Sequence, residues 1–244
     1  TQADAIAGTN AIPLAQAQAY ITAADTDQIW VKVENSSNSI TPVCYALTTI
    51  NINIERYPNP IITTPNGVDT ICVNFETDEV VRPLTLDSGI TNVADYTFAW
   101  FENNSTTPIA GATGPTYTVD TAEPTGATRT YTVTVTSVSP LACATTSADF
   151  EVIQSGQAVI ADGTIGYTVT NAFSDSQIIT VLVDGYGTYE YSLDDGPRQT
   201  SNIFEGVSLG THIIRVWDTE GGNYSCEELV IGNVQIIDYP HYFT

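Results

Sequence analysis

The sequence predicts an all-β protein in which immunoglobulin-like β-sandwich domains follow one another in a linear array. Residues 128–136 read TRTYTVTVT, so that tyrosine and valine alternate with polar residues. Alternation of period two is typical of a strand with one buried face. Such a strand, a polar loop and a cysteine that opens the return strand occur three times, with Cys44, Cys143 and Cys226. Recurrence at this spacing predicts tandem domains of roughly 80–100 residues.

The composition is that of a folded and strongly acidic protein. Hydrophobic residues make up 42% of the 244 positions and charged residues 14%, which argues against disorder. Six Lys and Arg against 28 Asp and Glu give a formal net charge of −22, and Lys32 is the single lysine. So few cations exclude nucleic acid as a partner and disfavour an anionic membrane surface. No apolar run approaches the ~20 residues of a membrane helix.

Residues 1–57 are predicted to be the C-terminal part of a β-sandwich domain. Two short strands are expected before the hairpin of residues 28–54. Because the sequence starts at Thr1 with neither an initiating methionine nor a signal peptide, the chain is expected to begin inside a longer polypeptide. The partner of Cys44 is then expected upstream. The segment 57–62, YPNPII, is predicted to be a short, stiff linker because of its two prolines.

Residues 58–154 are predicted to form a complete immunoglobulin-like sandwich. Short strand-like runs alternate with turn clusters such as TPNG and AGATGP, a pattern typical of β-sandwiches. Trp100 lies between Cys72 and Cys143, which is the immunoglobulin-like order. The predicted strands are Thr70–Phe75, Asp95–Glu102, Thr116–Val119, Thr128–Val138 and Cys143–Ile153.

Residues 155–235 are predicted to form a second such sandwich. Strand-like runs at 165–173, 176–185, 187–197 and 200–207 precede the last hairpin, and DDGP and EGGN are predicted turns. Residues 236–244 are predicted to start a further domain that is cut off at Thr244.

The cysteines predict an extracytoplasmic protein. We expect Cys72, on the first strand of the middle domain, to bond with Cys143 on its last hairpin, because both are expected at one end of the sandwich. Closing a loop of ~70 residues would contribute about 4 kcal/mol and requires an oxidising compartment. Four reduced cysteines are the alternative. Cys44 and Cys226 have no partner in their own domains and are not expected to bond with each other.

No motif predicts catalysis, and we expect the protein not to be an enzyme. Metal-ligand spacings of His and Cys, a nucleophile elbow and a phosphate loop are all missing from the sequence. Carboxylates are plentiful, but none lies in a recognisable glycosidase setting. His212 takes the strand position of Tyr131 and is interpreted as structural, whereas His241 is uninformative.

No cofactor is expected, with calcium as the one candidate because acidic pairs offer oxygen ligands. Turn-stabilising or solvated carboxylates are the alternative. The pairs are Asp25 with Asp27, Asp78 with Glu79, and Asp194 with Asp195.

Trp30 and Trp217 are candidate stacking residues for sugars. Each is expected to face away from the inward aliphatic residues of its strand, and exposed aromatic rings can stack on sugars. The alternative is that each ring covers its own hairpin or packs on a neighbouring domain.

Several stretches of the last domain together form a recognisable unit. They are YEYSLDDGP at 189–197, Phe204, the GT pair at 210–211 and the hairpin from Asp218 to Cys226. This order resembles the repeat unit of the giant mobile gliding-motility adhesins that Bacteroidota export through the type IX secretion system. Asp195 replaces a usual glycine and His212 a usual tyrosine of that repeat. IIDYPHYFT at 236–244 is similar to the opening of the type B C-terminal sorting domain. Over residues 1–154 the resemblance is generic.

The resemblance implies export across the outer membrane and a location on the cell surface. It also implies that a downstream sorting domain binds the type IX export machinery and an outer-membrane gliding-associated β-barrel protein. We therefore predict a C-proximal stalk segment of a very large surface adhesin, structural and force-bearing. The alternatives are a glycan-binding module, with surface polysaccharide as its partner, and the accessory tail of a secreted polysaccharide-degrading enzyme.

Overall fold

The structure is a computed structural model that describes residues 1–18, 20, 26–34, 44–170, 177–222 and 225–237. The chain separates into two compact units, Thr1–Tyr57 and Pro58–Thr244. The predicted turn at residues 220–223 is described only in part. The predicted strand after residue 236 lies almost wholly outside the described residues.

The first unit contains two short helices and one long hairpin. Its elements are α1 (Gln2–Ala7), α2 (Leu14–Ala17), β1 (Thr26–Glu34) and β2 (Tyr45–Asn53). The two strands pair antiparallel along their whole length, from Thr26 opposite Asn53 to Glu34 opposite Tyr45. Among the described residues of 1–57 none is buried, so this unit has no core of its own there.

The prediction of short strands ahead of this hairpin is wrong for the residues of α1 and α2, which are helical. The side chain of Thr1 accepts a hydrogen bond from the Asp4 N–H, and the Asp4 carboxylate accepts one from the Thr1 amino group. This reciprocal pair is a capping box, and Gly8, with φ of 69°, ends the helix in the left-handed conformation. Local capping therefore stabilises a helix in residues where a short strand was predicted.

The second unit begins with a sandwich built on a six-stranded sheet. The order in that sheet is β4-β3-β10-β8-β6, with β9 beside β8, and β5 and β7 form a separate pair. Every pairing is antiparallel except that of β3 with β10, which is parallel. The strands are β3 (Thr70–Val73), β4 (Val80–Arg82), β5 (Leu84–Asp87), β6 (Tyr96–Glu102), β7 (Thr116–Val119), β8 (Arg129–Ser137), β9 (Ala144–Thr146) and β10 (Phe150–Ser155).

The core of this sandwich follows the alternation in the sequence. Tyr131, Val133 and Val135 on β8 have no exposed surface, while the threonines between them are partly exposed. Trp100 on β6 lies opposite Val133 and is also fully buried. Its indole N–H donates to the carbonyl of Gly114 at 3.0 Å, which satisfies the one polar group of the ring.

A second sandwich follows in the same unit. Its sheets are β12-β13-β16 and β15-β17-β18, with a short β11-β14 pair. Ile179, Ile214, Val216 and Val234 are at most 1% exposed and lie in its core. The strands are β11 (Val159–Ile160), β12 (Tyr167–Thr170), β13 (Gln177–Val181), β14 (Val183–Asp184), β15 (Tyr189–Leu193), β16 (Ile203–Val207), β17 (Gly210–Asp218) and β18 (Leu229–Ile236).

The all-β fold class and its β-sandwiches are confirmed. The second unit contains two hydrophobic clusters of buried residues, one between Ile62 and Val152 and the other between Ala158 and Ile236. Residues 153–157 connect the two sandwiches. The domain boundaries drawn from the sequence at residues 57, 154 and 235 stay predictions.

Candidate functional site

The two sandwiches of the second unit are joined by a disulfide between Cys72 and Cys226. The sulfurs are 2.07 Å apart and the Cα atoms 5.7 Å apart, across 154 positions of sequence. The predicted bond between Cys72 and Cys143 is therefore wrong. Cys226 finds no partner in its own domain, as expected, but bonds with a cysteine of the preceding sandwich. Cys143 is free and half-buried, and Cys44 is free and exposed.

The register of the sheet explains why Cys72 does not reach Cys143. Cys72 lies opposite Ser155, just beyond the point where Val152 pairs with Arg129 at the start of β8. The carbonyl of Cys143 instead accepts a hydrogen bond from Ser137, at the other end of β8. Eight residues of strand separate these ends, roughly 26 Å at ~3.3 Å per residue. Disulfides need Cα atoms within about 7 Å, so the two cysteines cannot meet.

Asp218, at the end of β17, holds both the connection between the sandwiches and Cys226. Its Oδ1 accepts a hydrogen bond of 2.7 Å from the hydroxyl of Ser155, the last residue of β10. Its Oδ2 accepts one of 2.8 Å from the Cys226 N–H. Asp218 is 3% exposed and Ser155 fully buried. Charge-assisted bonds of this kind are strong, so one carboxylate fixes the bonded cysteine beside the other sandwich.

Tyr189, at the start of β15, holds the next residue of the connection. Its hydroxyl donates to the Gly156 carbonyl at 3.0 Å and accepts from the Gly187 N–H at 3.0 Å. Burial raises the pKa of Tyr189 to about 12, so the hydroxyl keeps the proton that it donates. Gly185 lies against it so closely that a Cβ there would stand 1.9 Å from the hydroxyl oxygen.

Gly156 has no room for a side chain. A Cβ at this position would lie 2.3 Å from the carbonyl oxygen of Val73, on the strand that contains Cys72. Gly187 is similarly enclosed, because a Cβ there would lie 2.5 Å from the Ser155 hydroxyl oxygen. Small residues therefore let the backbones of the two sandwiches approach each other closely.

Two side chains form further contacts across the same joint. The hydroxyl of Tyr186 donates to Asp78, and this hydrogen bond raises the pKa of Tyr186. The Tyr186 ring meets Phe75 edge-on at a centroid distance of 5.0 Å. Arg82 donates to the carbonyl of Ser225, next to the bonded cysteine, at 3.1 Å. We call this set of contacts around the disulfide the joint.

A cleft of about 450 Å³ opens beside the disulfide. Its lining mixes apolar and polar side chains from both sandwiches, among them Phe75, Val81, Arg82, Gln157, Val159 and Glu227. Within the described part of the chain, no three His, Cys, Asp or Glu side chains are grouped to hold a metal.

The two candidate stacking tryptophans make none of the contacts that define the joint. Trp217 is partly exposed, and the Arg198 guanidinium lies over its ring at 4.0 Å. One face of Trp217 is therefore covered. Trp30 is partly buried and lies opposite Thr49 in the hairpin of the first unit.

His212 is held by two acceptors. Its Nδ1 lies 2.6 Å from the Asp194 carboxylate and its Nε2 lies 2.9 Å from the Ser208 carbonyl oxygen. Since both partners are acceptors, the two hydrogen bonds form together only when both ring nitrogens carry a proton, as in the imidazolium. Burial lowers the pKa of His212, but the bonds to Asp194 and Ser208 outweigh it and raise the pKa overall.

The candidate calcium ligands are largely engaged elsewhere. Asp78 accepts from Tyr186, Asp194 from His212, and Asp195 from Arg215 at 2.7 Å. Asp25 and His241 lie outside the described residues. The calcium and stacking roles of all these residues stay predictions.

Sequence reasoning named Tyr189 and Asp218 only as part of a resemblance and did not connect them with the joint. It did not single out Ser155, Gly156 or Tyr186. The SerGly pair at the end of a strand, near the predicted domain boundary, was the available signal for a close backbone contact.

Comparison with known proteins gives one family match. Residues 1–60 match the family described as the Flavobacterium inter-domain disulphide bond domain. This match supports the resemblance at a coarse level, that of an extracellular protein of the Bacteroidota. A search of curated proteins gave no significant match.

Among solved structures, two cadherin fragments are similar in part. Mouse cadherin-23 EC22-24 is 13% identical, with 88% of this chain and 76% of that one covered and a TM-score of 0.27. Drosophila N-cadherin EC1-4 is 11% identical, with 87% of this chain and 58% of that one covered and a TM-score of 0.26. Scores this low add nothing to the fold, which the strand pairings define.

The disulfide places the folded protein in an oxidising, extracellular environment. In the part of the chain that the structure describes, no helix has the length and apolar character needed to cross a bilayer.

Proposed function

We propose that this chain is a C-proximal stalk segment of a very large secreted surface adhesin, with a structural, force-bearing role and no catalytic one. The observation that supports this most is the joint, where a disulfide and buried hydrogen bonds couple two sandwiches into one unit. A structural role is consistent with the hydrogen bonds at the joint, because its buried polar groups bond to each other across the two sandwiches.

The resemblance of residues 189–226 and 236–244 to gliding adhesins supplies the finer proposal. In that reading the type IX machinery exports the protein, and a downstream sorting domain attaches it to a gliding-associated β-barrel protein of the outer membrane. Tyr189 and Asp218, two residues of the resemblance, hold the connection between the sandwiches. A repeat whose characteristic residues secure a joint is suited to a stalk.

A replacement experiment in cells that make the parent protein separates a stalk from a binding module. Residues 58–237 are exchanged for two unrelated, linked β-sandwiches of similar folded length. We expect attachment to persist, because a stalk needs reach and strength but no particular surface. Loss of attachment with normal amounts of protein on the cell surface would favour a glycan-binding module instead.

Two measurements complete this test. Antibodies against residues 58–237 should label intact cells, and failure to label them while whole-cell extracts react would contradict the surface location. A hydrolase domain in the parent polypeptide would favour the accessory tail of a polysaccharide-degrading enzyme.

We also propose that Cys44 forms an inter-domain disulfide. It is the single cysteine in residues 1–60, the stretch that matches a family described by such a bond, and it is exposed. Peptide mapping of the secreted parent protein under non-reducing conditions should find the Cys44 peptide linked to a cysteine outside residues 1–60. A free Cys44 thiol in that protein would contradict the proposal.

A further inference from the structure

The disulfide closes a covalent ring that contains nearly all of both sandwiches. Cys72 lies on β3, the first strand of the second unit, and Cys226 lies just before β18, its last described strand. Strands β4 to β17 therefore lie between the two bonded cysteines.

We propose that this bond is a mechanical bypass, through which tension along the chain passes from β3 to β18 without running through strands β4 to β17. The proposal depends on the proposed function only in that a stalk is pulled from its two ends. Tension that arrives at Cys72 crosses the two sulfurs to Cys226 and continues into β18. Residues 73–225 form a loop outside the line of tension.

The contacts that tension meets first are few and lie at the two ends of the unit. On the N-terminal side, Thr63 exchanges backbone hydrogen bonds with Asp87, and Thr70 and Ile71 pair with β10. On the C-terminal side, β18 pairs with β17. These contacts include core residues such as Ile71 and Val234, so tension loads each core at its terminal strand. The tension cannot extend strands β4 to β17, because they lie within the covalent ring.

Without the bond, the same tension would run through every strand in turn. The seven-residue ladder between β6 and β8 and the five-residue ladder between β15 and β17 would then lie in its path. The sandwiches would have to resist by their hydrogen bonds alone. With the bond, residues 73–225 cannot be extended even when the hydrogen bonds of the sandwiches yield.

The joint keeps the bond closed and in place. Cys72 is 3% exposed and Cys226 is 7% exposed. Asp218 holds the Cys226 backbone, and Arg82 holds the neighbouring Ser225 carbonyl. Both contacts come from strands that lie inside the covalent ring, β17 and β4.

Pulling a single molecule of the whole 244-residue chain by its two ends tests the bypass. The cysteines are 154 positions apart, so the bond hides about 500–550 Å of extended chain at ~3.3–3.6 Å per residue. The maximum extension of the oxidised protein should therefore be smaller, by this length, than the contour length of the fully unfolded chain. The double variant C72A/C226A should release it in one or two further unfolding steps.

Matched controls separate the possible failures. The variant C44A/C143A, which removes the two other thiols, should keep the short extension of the oxidised protein. Oxidised protein that releases its full contour length, while peptide mapping finds Cys72 bonded to Cys226, would overturn the bypass. Absence of the bond in the mapped protein would overturn it as well.

The maximum extension of the oxidised protein is sufficient to test the bypass, so the experiment remains informative even if C72A/C226A does not fold. Its result is independent of the cell-surface experiment. A short extension together with loss of attachment in the replacement experiment would support the bypass and contradict the adhesin stalk. A full extension together with retained attachment would contradict the bypass and support the stalk.

Discussion

The hairpins that end the two sandwiches share a sequence pattern but differ in what their cysteines do. The strands β8 and β17 are nine residues each, and Tyr131, Val133 and Val135 on the first match His212, Ile214 and Val216 on the second in position and burial. The residue that ends the strand differs. It is Ser137 in the first hairpin and Asp218 in the second.

That single position separates a local turn from a joint. The Ser137 hydroxyl accepts a hydrogen bond from the N–H of Ser139, two residues on, and Cys143 stays free. The Asp218 carboxylate reaches Ser155 on the other sandwich and the backbone of Cys226, which is bonded to Cys72. A repeated pattern thus determines a repeated fold, while the use of each copy depends on its neighbours.

The largest effect is expected from removing the disulfide. The chain-entropy estimate for a loop spanning 154 positions is about 5 kcal/mol, and C72A/C226A should lose up to this much free energy of unfolding. Urea denaturation followed by tryptophan fluorescence measures it, since Trp100 and Trp217 report on one sandwich each. C44A/C143A should change stability by less than about 0.5 kcal/mol. Equal losses in the two double variants would contradict the assigned pairing.

Neutralising the carboxylate that distinguishes the hairpins should have the next largest effect. Asp218→Asn keeps the side-chain volume but weakens the hydrogen bonds from Ser155 and Cys226. The amide nitrogen, which replaces one carboxylate oxygen, cannot accept a hydrogen bond. A loss on the order of 2 kcal/mol is expected for hydrogen bonds to a buried charge. Glu151→Gln, on an exposed position of β10, is the control and should be neutral. A neutral Asp218→Asn would show that the disulfide alone maintains the joint.

Adding one methyl group at the joint should cost about 1–3 kcal/mol, the usual range for overpacking. In Gly156→Ala the new Cβ would meet the Val73 carbonyl oxygen, a backbone atom that cannot rotate away. Gly232→Ala is the matched control, because a Cβ there meets nothing within 4 Å. Thermal unfolding of both variants should show a lower Tm for Gly156→Ala alone.

The smallest effect should come from the pair His212 and Asp194, which replaces Tyr131 of the first hairpin. The pKa of His212 is raised above 6.5. Burial tends to raise the pKa of Asp194, but the hydrogen bonds from His212 and the Ile213 N–H outweigh burial and lower this pKa below 3.8. The His212 contribution is therefore complete below pH 6.5 and disappears as the pH rises through the folded value. The Asp194 contribution is complete above pH 3.8 and disappears as the pH falls.

The stability difference between the wild type and His212→Gln should thus be largest between about pH 4 and 6.5. Urea denaturation across pH 4 to 9 measures this difference, and Asp194→Asn should show the same profile. A difference that does not vary with pH would mean that the ring is not an imidazolium. Tyr131 offers no such titration, because burial and its bond to Glu102 raise its pKa far above this range.

Much of the fold could be predicted because the relevant signals are local. Alternation over residues 128–136 predicted a strand with one buried face, and the position of Trp100 between two cysteines indicated an immunoglobulin-like sandwich, in whose core the residue lies. The capping box at Thr1 and Asp4 is equally local, but a helix of six residues is too short to show a clear apolar periodicity. The turn at Asp194 and Asp195, both at positive φ, was recognised from its residues.

The site could not be predicted in the same way. Cys72 was correctly expected to form a disulfide, but its partner depends on β3 lying parallel to the end of β10. That pairing joins residues more than 80 positions apart. No local pattern specifies such a neighbour. The repeated cysteine hairpin suggested that Cys143 and Cys226 have equivalent roles, but the strand order brings only Cys226 to Cys72.

The sequence by itself determined that the chain forms β-sandwiches, because side-chain burial alternates with a period that each strand displays within a few residues. It also determined the strongly acidic surface, since charge depends on composition alone. The tertiary structure decided which cysteines meet and which polar residues secure the connection between the sandwiches. Those outcomes depend on strand order and register, which distant parts of the chain set together.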